Sequence, residues 1–314
     1  MKILKDDCSG HIFSAIAGLF IIAFILMVIL FLNVTYTIDN ENNQAIASDN
    51  MKYISTDYIR NIDKLSYDTL EEISNNVIIT KTPLKNSNDQ FKKLLNEKLE
   101  EKNKEYLDKY DVKISSNVIS IESSDKPEYL IVKVYLNFEK ADERYRDVVE
   151  VKTSVLNLKD PLGILLCSEY SDLTYNESRV LYKNSLSDFL NKKNVENYEN
   201  YINATAPLII KKCPYDPYIH HGDGNVLYDC IKNGYYHESS DGSCYLCRLE
   251  AKPVCSHYGF ETFIIPHENI KNNLSSVSAP DHVVFFENYF GNQYSYFENK
   301  IIFIDNAHKL KYGL

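Results

Sequence analysis

Residues 12–32, "IFSAIAGLFIIAFILMVILFL", run for 21 positions without a charged side chain. At 1.5 Å per residue, such a helix is roughly 30 Å long, the thickness of a bilayer's hydrocarbon core. A helix of that length with apolar surface on every side is rarely a buried core element, so the run predicts a transmembrane segment. A cleaved secretory signal would have a shorter apolar stretch with a small-x-small site just beyond it. The Ala-x-Ala sequence at 45–47 lies too far past the run, so the anchor is expected to stay. Orientation follows the basic residues near the ends. Lys2, Lys5 and the terminal amine lie on the amino side, and no Lys or Arg follows the run until Lys52. The expected topology is a single-pass cell-membrane protein with a cytoplasmic tail (1–11), a transmembrane helix (12–32) and an extracellular body.

That topology sorts the seven cysteines. Cys8 falls inside, while Cys167, Cys213, Cys230, Cys244, Cys247 and Cys255 fall outside. An even set in an extracellular segment predicts disulfides, although spacing cannot choose among the possible pairings. The alternative is zinc, with Cys244-x-x-Cys247 gripping one side of a tetrahedral ion and Cys255-x-His257 closing it. His220 and His221, or Cys213 and Cys230, could complete other sets. The four-residue zinc set leaves Cys167, Cys213 and Cys230 as an odd remainder, which favours the staple reading with no cofactor. A redox role for Cys244-x-x-Cys247 is weaker. Asp241-Gly242 precedes it, and Tyr245-Leu246 fills the gap, where a strand leading into a helix amino terminus would be needed.

The residues "KDDCSGHIFSAIAGLF" resemble the start of archaeal pilin-like proteins with class III signal segments, found widely in methanogens. In that family a charged leader ends in Gly, and a pattern such as Gln-Ile-Phe-Ser leads into the apolar helix. Gly10, Ile12, Phe13 and Ser14 match, and the resemblance implies a peptidase junction at Gly10–His11. His11 stands where Gln is usual, and Ile16 occupies the place of an acidic residue that helps subunits engage. The match covers about the first 30 residues. It implies other pilin-like subunits or envelope components as partners beside the lipid bilayer, and an anaerobic host in which the outside need not be oxidising.

Beyond the membrane the pattern predicts an α+β body: a helical stalk with a β-meander over 33–160, then a Cys- and Tyr-rich, β-containing domain over 161–314. From 40 to 79 there is no Pro or Gly, and Met51, Ile54, Tyr58, Ile62, Leu65, Ile73 and Val77 recur at helical spacing. Pro83 marks a break. Phe91, Leu94, Leu95, Leu99, Tyr106 and Tyr110 then stripe a second helix whose charged remainder reads as a solvated face. Residues 113–121, 129–138 and 148–156 alternate with period two, which predicts an antiparallel meander with Leu130, Val132, Val134, Leu136 and Phe138 on its covered face. "LKDPLG" (158–163) is turn chemistry. An amphipathic helical stretch is expected near 186–201, and strands at 282–288, 293–297 and 300–305, the last two joined by a turn at Glu298-Asn299.

The net charge of −10 argues against a phosphate-backbone binder, so no nucleic-acid partner is expected. Four N-x-Ser/Thr sequons, at Asn33, Asn176, Asn203 and Asn273, permit glycosylation without arguing for it. "HHGDGNVLYD" (220–229) offers Asp223, Asn225 and Asp229 for calcium but lacks the final Glu of an EF-hand loop, and reads better as a turn. No nucleophile elbow, P-loop, Rossmann fingerprint or HExxH occurs. The reading is a membrane-anchored surface protein with a structural, adhesion or envelope-assembly role. The alternative is an anchored envelope enzyme, metal-dependent in one form, using His220, His221, Asp223 or His257.

Overall fold

The computed structural model describes residues 9–141, 143–170, 172–196, 198–266, 275–286, 292–296 and 300–314. Cys8, Asn273 and the Glu298-Asn299 turn lie outside them. The chain is mixed helix and sheet, and it divides into two compact units, Met1–Tyr58 and Ile59–Leu314. Helix α1 (Ser9–Thr80) is one continuous element of 72 residues. Within the first unit, Ile16–Thr35 is a 20-residue span long and apolar enough to cross a membrane. Gly10 and His11, the expected peptidase junction, lie in the helical backbone of α1.

The second unit starts with the end of α1, whose Ile62, Leu70, Ile73 and Val77 are buried. A break over 81–86 contains Pro83, and α2 (Ser87–Tyr110) follows. The Asn86 side chain caps α2 by accepting from the Asp89 N–H at 3.1 Å. Phe91, Leu95, Leu99 and Tyr106 form its buried stripe, at the spacing of one helix face. Strands β1 (Lys113–Ser123), β2 (Tyr129–Lys140) and β3 (Glu143–Ser154) form an antiparallel sheet in chain order. Leu130, Val132, Val134, Leu136 and Phe138 are all buried, because a period of two sends alternate side chains of β2 to one face. The α2 side chain of Asn96 accepts from the Val118 N–H at 2.9 Å, beside a register shift in β1.

The rest is built of short pieces. Helix α3 (Leu162–Leu166) leads to β4 (Thr174–Tyr175), β5 (Arg179–Lys183), α4 (Ser185–Lys192) and β6 (Ala204–Pro207), with β4, β5 and β6 forming a small antiparallel sheet. After α5 (Val226–Asn233) come β7 (His237–Ser239), α6 (Tyr245–Leu249) and β8 (Gly259–Glu261), with β7 and β8 paired antiparallel. The tail contains β9 (Phe263–Ile264), β10 (Ser275–Pro280), α7 (Asp281–Phe285), β11 (Asn292–Tyr296), β12 (Lys300–Ile304) and α8 (Asn306–Tyr312). Its four-stranded sheet runs β11-β12-β10-β9, with β10 and β12 parallel.

Two expectations change. The single helical stretch near 186–201 is α4 followed, after Asn194 at φ 56°, by a 3-10 turn at Tyr198–Tyr201. In place of the strand expected at 282–288, the chain forms helix α7 as far as Phe285, with Val283, Val284 and Phe285 all buried, and 287–288 lie outside the described residues. A short apolar run surrounded by core on all sides has no periodicity to separate strand from helix. The Asp281 carboxylate, at the first helical position, accepts from the backbone N–H groups of His282 at 2.8 Å and Thr262 at 3.1 Å.

The interior is organised by Arg248, which has no exposed side-chain surface. Its Nη1 lies 2.6 Å from Asp160 Oδ2 and 2.8 Å from Asp281 Oδ2, and its Nε donates to the Ser243 carbonyl at 3.1 Å. The Tyr236 hydroxyl donates to Asp160 at 3.0 Å. Burial alone would lower the Arg248 pKa, but the two carboxylates more than reverse it and hold the guanidinium charged. This ties α6 to the turn after the meander and to the start of α7. Removing one partner of a buried pair typically costs about 3–5 kcal/mol. Arg248→Met in the full-length chain is therefore expected to lower unfolding free energy by about that amount in urea titrations. A loss under about 1 kcal/mol would show that the ion pairs contribute little.

Candidate metal centres

No pair of cysteines is bonded among the described residues: Cys167, Cys213, Cys230, Cys244, Cys247 and Cys255 are all free thiols. This corrects the disulfide expectation. The Cys213 and Cys230 sulfurs are 3.1 Å apart, against a bond of about 2.05 Å. Cys167 belongs to neither cluster described below. It is buried in an apolar core with Leu162, Ile164 and Leu186, and burial pushes its thiol pKa well up.

The other five cysteines gather with histidines into two four-ligand sets, each with its ligand atoms within 4.8 Å of one another. The first consists of Cys213, His221, Cys230 and His237, all buried. A 3-10 turn at Tyr218–Gly222 turns about 120° per residue, so neighbouring histidines face different ways. His221 points inward, whereas His220 is exposed and bonded to Asp223 at 2.9 Å. Cys230 shares the buried face of α5 with Leu227, one turn away. Gly234 ends that helix at φ 68°, and the chain turns back to place His237 at the start of β7.

The polar atoms converge. His221 Nε2 lies 3.4 Å from Cys213 Sγ, 3.2 Å from Cys230 Sγ and 3.2 Å from His237 Nε2. Bonds of about 2.3 Å to sulfur and 2.0 Å to nitrogen give a tetrahedron with edges of roughly 3.3–3.8 Å. The observed separations, 3.1–3.4 Å, lie at or just below the short end of that range. The hydrogen bond from Cys230, followed by those from the imidazoles, favours the Cys213 thiolate, and its pairing with that sulfur pushes the Cys230 thiol up. Burial lowers the His237 pKa and keeps the ring neutral, the form that binds metal. Tyr218 and Tyr312 pack against both imidazoles, with ring centroids 5.1–5.4 Å apart.

The second set is the one legible in the sequence: Cys244, Cys247, Cys255 and His257. Cys244 is the extended residue preceding α6, and Cys247 lies in its first turn, so both sulfurs point to the same side. His257 Nδ1 is 3.6 Å from Cys244 Sγ and 3.7 Å from Cys247 Sγ. The Cys244 N–H donates to Cys255 Sγ at 3.3 Å, a bond that stabilises a thiolate. Hydrogen bonding from Cys244 and Cys247 lowers the Cys255 pKa, and sharing with Cys244 and Cys255 raises that of Cys247. A cleft of about 540 Å³ opens beside this centre, lined by residues including Lys85, Ile121, Leu246, Cys247 and His257.

Both sets fit zinc by donor type and separation. Of the residues proposed for the enzyme alternative, His221 and His257 join these sets, in different ones, while His220 and Asp223 join neither. His237 was missed as a ligand. It sits on a strand among tyrosines, seven residues from Cys230 and with no second ligand at a two- to four-residue spacing, so no local motif marks it. No protein family, curated protein or solved structure compared with the chain matches it.

Close backbone approach shapes the second centre. A Cβ on Gly259 would lie 2.4 Å from the Ser243 carbonyl carbon and 2.8 Å from the Cys244 nitrogen. Gly259→Ala must therefore push β8 away from the segment leading into Cys244. It is expected to destabilise the protein by about 1–3 kcal/mol and to weaken metal at the second centre more than at the first. Metal retention during chelator titration of the two forms checks this, and equal retention at both centres would contradict it.

Proposed function

We propose that the chain is a single-pass membrane protein whose outward-facing body is stapled by two zinc ions and serves a structural role in envelope assembly or adhesion. The observation that supports this most strongly is the closure of the two ligand sets. Each offers four sulfur or nitrogen donors, the number that completes a structural zinc site and leaves no position for substrate. The body between Cys213 and His257 is made of elements of three to eight residues. Small cores of that kind need a cross-link or metal to hold their shape. Zinc thiolates take the place that disulfides would occupy in an oxidising setting, and the methanogen-like amino terminus implies a host where that exchange is sound. Lys2 and Lys5 before the span, with no Lys or Arg after it until Lys52, support a cytoplasmic amino terminus. The pilin-like layout of the first 30 residues supports assembly with related envelope subunits.

The enzymatic alternative draws on the cleft beside His257. It requires that His257 leave the second centre and open a coordination position. X-ray absorption at the zinc edge on the purified full-length protein loaded with two equivalents of zinc, enough for the two sulfur centres, separates the two readings. Staples predict sulfur and nitrogen scattering with no water oxygen, whereas an open site predicts three sulfurs with an oxygen.

Two measurements test the whole proposal. Denaturation without reductant should release zinc and leave every cysteine titrating as a free thiol; paired cysteines and no zinc would overturn the staple reading. Protease added to wall-stripped cells should remove the chain after Asn40, and full protection would overturn the topology.

A further inference from the structure

A third cluster of ligand-type side chains lies outside both sulfur centres, and it contains no cysteine. Asp241, Glu261, His282 and His308 offer ligand atoms that all fall within 4.8 Å of one another. Glu261, His282 and His308 are buried, with 0%, 5% and 2% of their side chains exposed, while Asp241 is 52% exposed at the solvent edge. The four come from the loop after β7, the end of β8, the start of α7 and the first turn of α8.

Each partner is already oriented. Asp305 caps α8 by accepting from the His308 N–H at 2.8 Å, and its carboxylate also lies 2.9 Å from His308 Nδ1. That carboxylate fixes the proton on Nδ1 and turns Nε2 towards Glu261 Oε2, 2.8 Å away. A carboxylate behind a ligating imidazole is the usual support in metal sites. Glu261 uses its other oxygen for the Lys311 ammonium at 2.9 Å and for the Tyr312 hydroxyl, so Oε2 is the atom left to face the cluster. Asp241 is steadied by the Ser239 hydroxyl at 2.7 Å.

A proton on His308 would account for its contact with Glu261, but it would not account for His282. His282 Nδ1 is buried and makes no hydrogen bond. It stands 3.7 Å from Glu261 Oε2, and the ring's Nε2 stands 3.8 Å from Asp241 Oδ2. His308 Nε2 is 3.8 Å from Asp241 Oδ1. These distances are too long for hydrogen bonds; with the 2.8 Å from His308 to Glu261 they bracket the edges of roughly 3.3 Å expected when nitrogen and oxygen ligands share one ion at about 2.0–2.1 Å, His282 contributing one of its two ring nitrogens.

We propose that Asp241, Glu261, His282 and His308 form a third metal centre, ligated by nitrogen and oxygen alone, that takes a divalent first-row transition metal of the zinc or iron(II) class. Two imidazoles select such an ion over magnesium or calcium, which prefer all-oxygen shells. Two carboxylates, one of them countered by Lys311, balance its charge. With Asp241 at the surface, the ion reaches solvent along one edge, so this centre exchanges metal more readily than the first sulfur centre, whose ligands are all buried. The site stands on its own residues and does not require zinc at the other two.

Cobalt(II) titration of the untagged full-length protein in detergent, under anaerobic conditions, tests this. Thiolate-bound cobalt gives intense sulfur-to-metal absorption, and cobalt with nitrogen and oxygen ligands gives only weak visible bands. The wild type should take three equivalents, two with the sulfur signature and one without. His282→Gln should lose the third equivalent and keep both sulfur signatures, which also report that the body has folded. Asp305→Asn keeps an effective helix cap but removes the supporting carboxylate, and should weaken the third site by roughly 10–100-fold. Should His282→Gln fail to fold, Asp241→Asn, changed at the exposed ligand, decides the question by the same readout. A wild type that binds only two equivalents, or folded variants that still bind a third with unchanged affinity, overturns the proposal.

Discussion

The charge of Arg248 sits where water does not reach, and the fold around it follows from the need to answer that charge. A lone buried guanidinium would be prohibitively costly, so the side chain must find anionic partners. Asp160 comes from the turn after the meander and Asp281 from the start of α7, at separations of 88 and 33 residues from Arg248. Two carboxylates overcompensate one cation. The Tyr236 hydroxyl and the backbone N–H groups of Leu162, Thr262 and His282 take up the excess, and burial raises the Asp160 pKa. These donors lie in or directly beside different short elements: Leu162 in α3, Tyr236 before β7, Thr262 between β8 and β9, and His282 in α7. The geometry of one ion cluster thereby sets where α3, β7, α6, β8 and α7 meet.

That junction also positions the candidate metal centres. Arg248 directly follows Cys247, and its Nε holds the Ser243 carbonyl just before Cys244. Tyr236 precedes His237 of the first centre, and Asp281 precedes His282 of the third cluster. The pairing of β7 with β8 sets His237 directly opposite Glu261. Tyr312 packs on the two imidazoles of the first centre and bonds Glu261. A disturbance at one centre therefore has short mechanical routes to the others. Helices and strands this brief cannot bury enough apolar surface to hold such alignment by themselves, which is the physical case for metal as part of the core.

The two parts of the second unit solve the stability problem differently. Between Ile59 and Ser154 the elements are long, and regular burial is enough: Ile62, Leu70, Phe91, Leu95, Leu99, Val132, Val134 and Phe138 all lie on repeating faces. After Asp160 the elements shorten, and most of the buried ionisable side chains among the described residues fall there. Buried His221, His237, Arg248, Glu261, Asp281, His282 and His308 all fall there. Each must be paired or bound to an ion, since an unanswered polar group costs free energy comparable to what a short element gains by packing.

This division also marks what could be read from the chain alone. Periodicity is local, so the sequence by itself determined the apolar span, the long helices, the three-stranded sheet and the inward stripe of β2. It also offered Cys244, Cys247, Cys255 and His257 as an alternative to disulfides, because those ligands are close enough in sequence to be grouped by spacing. Only the tertiary structure decided that these cysteines converge as free thiols, that His221 turns inward while His220 turns out, and that His237 completes a second set. Glu261 and His308 lie 47 residues apart and meet at 2.8 Å, a contact that no spacing rule encodes. Convergence of that kind depends on the path of the whole chain, which here is set by buried charge and close backbone crossings rather than by any repeating pattern of apolar residues.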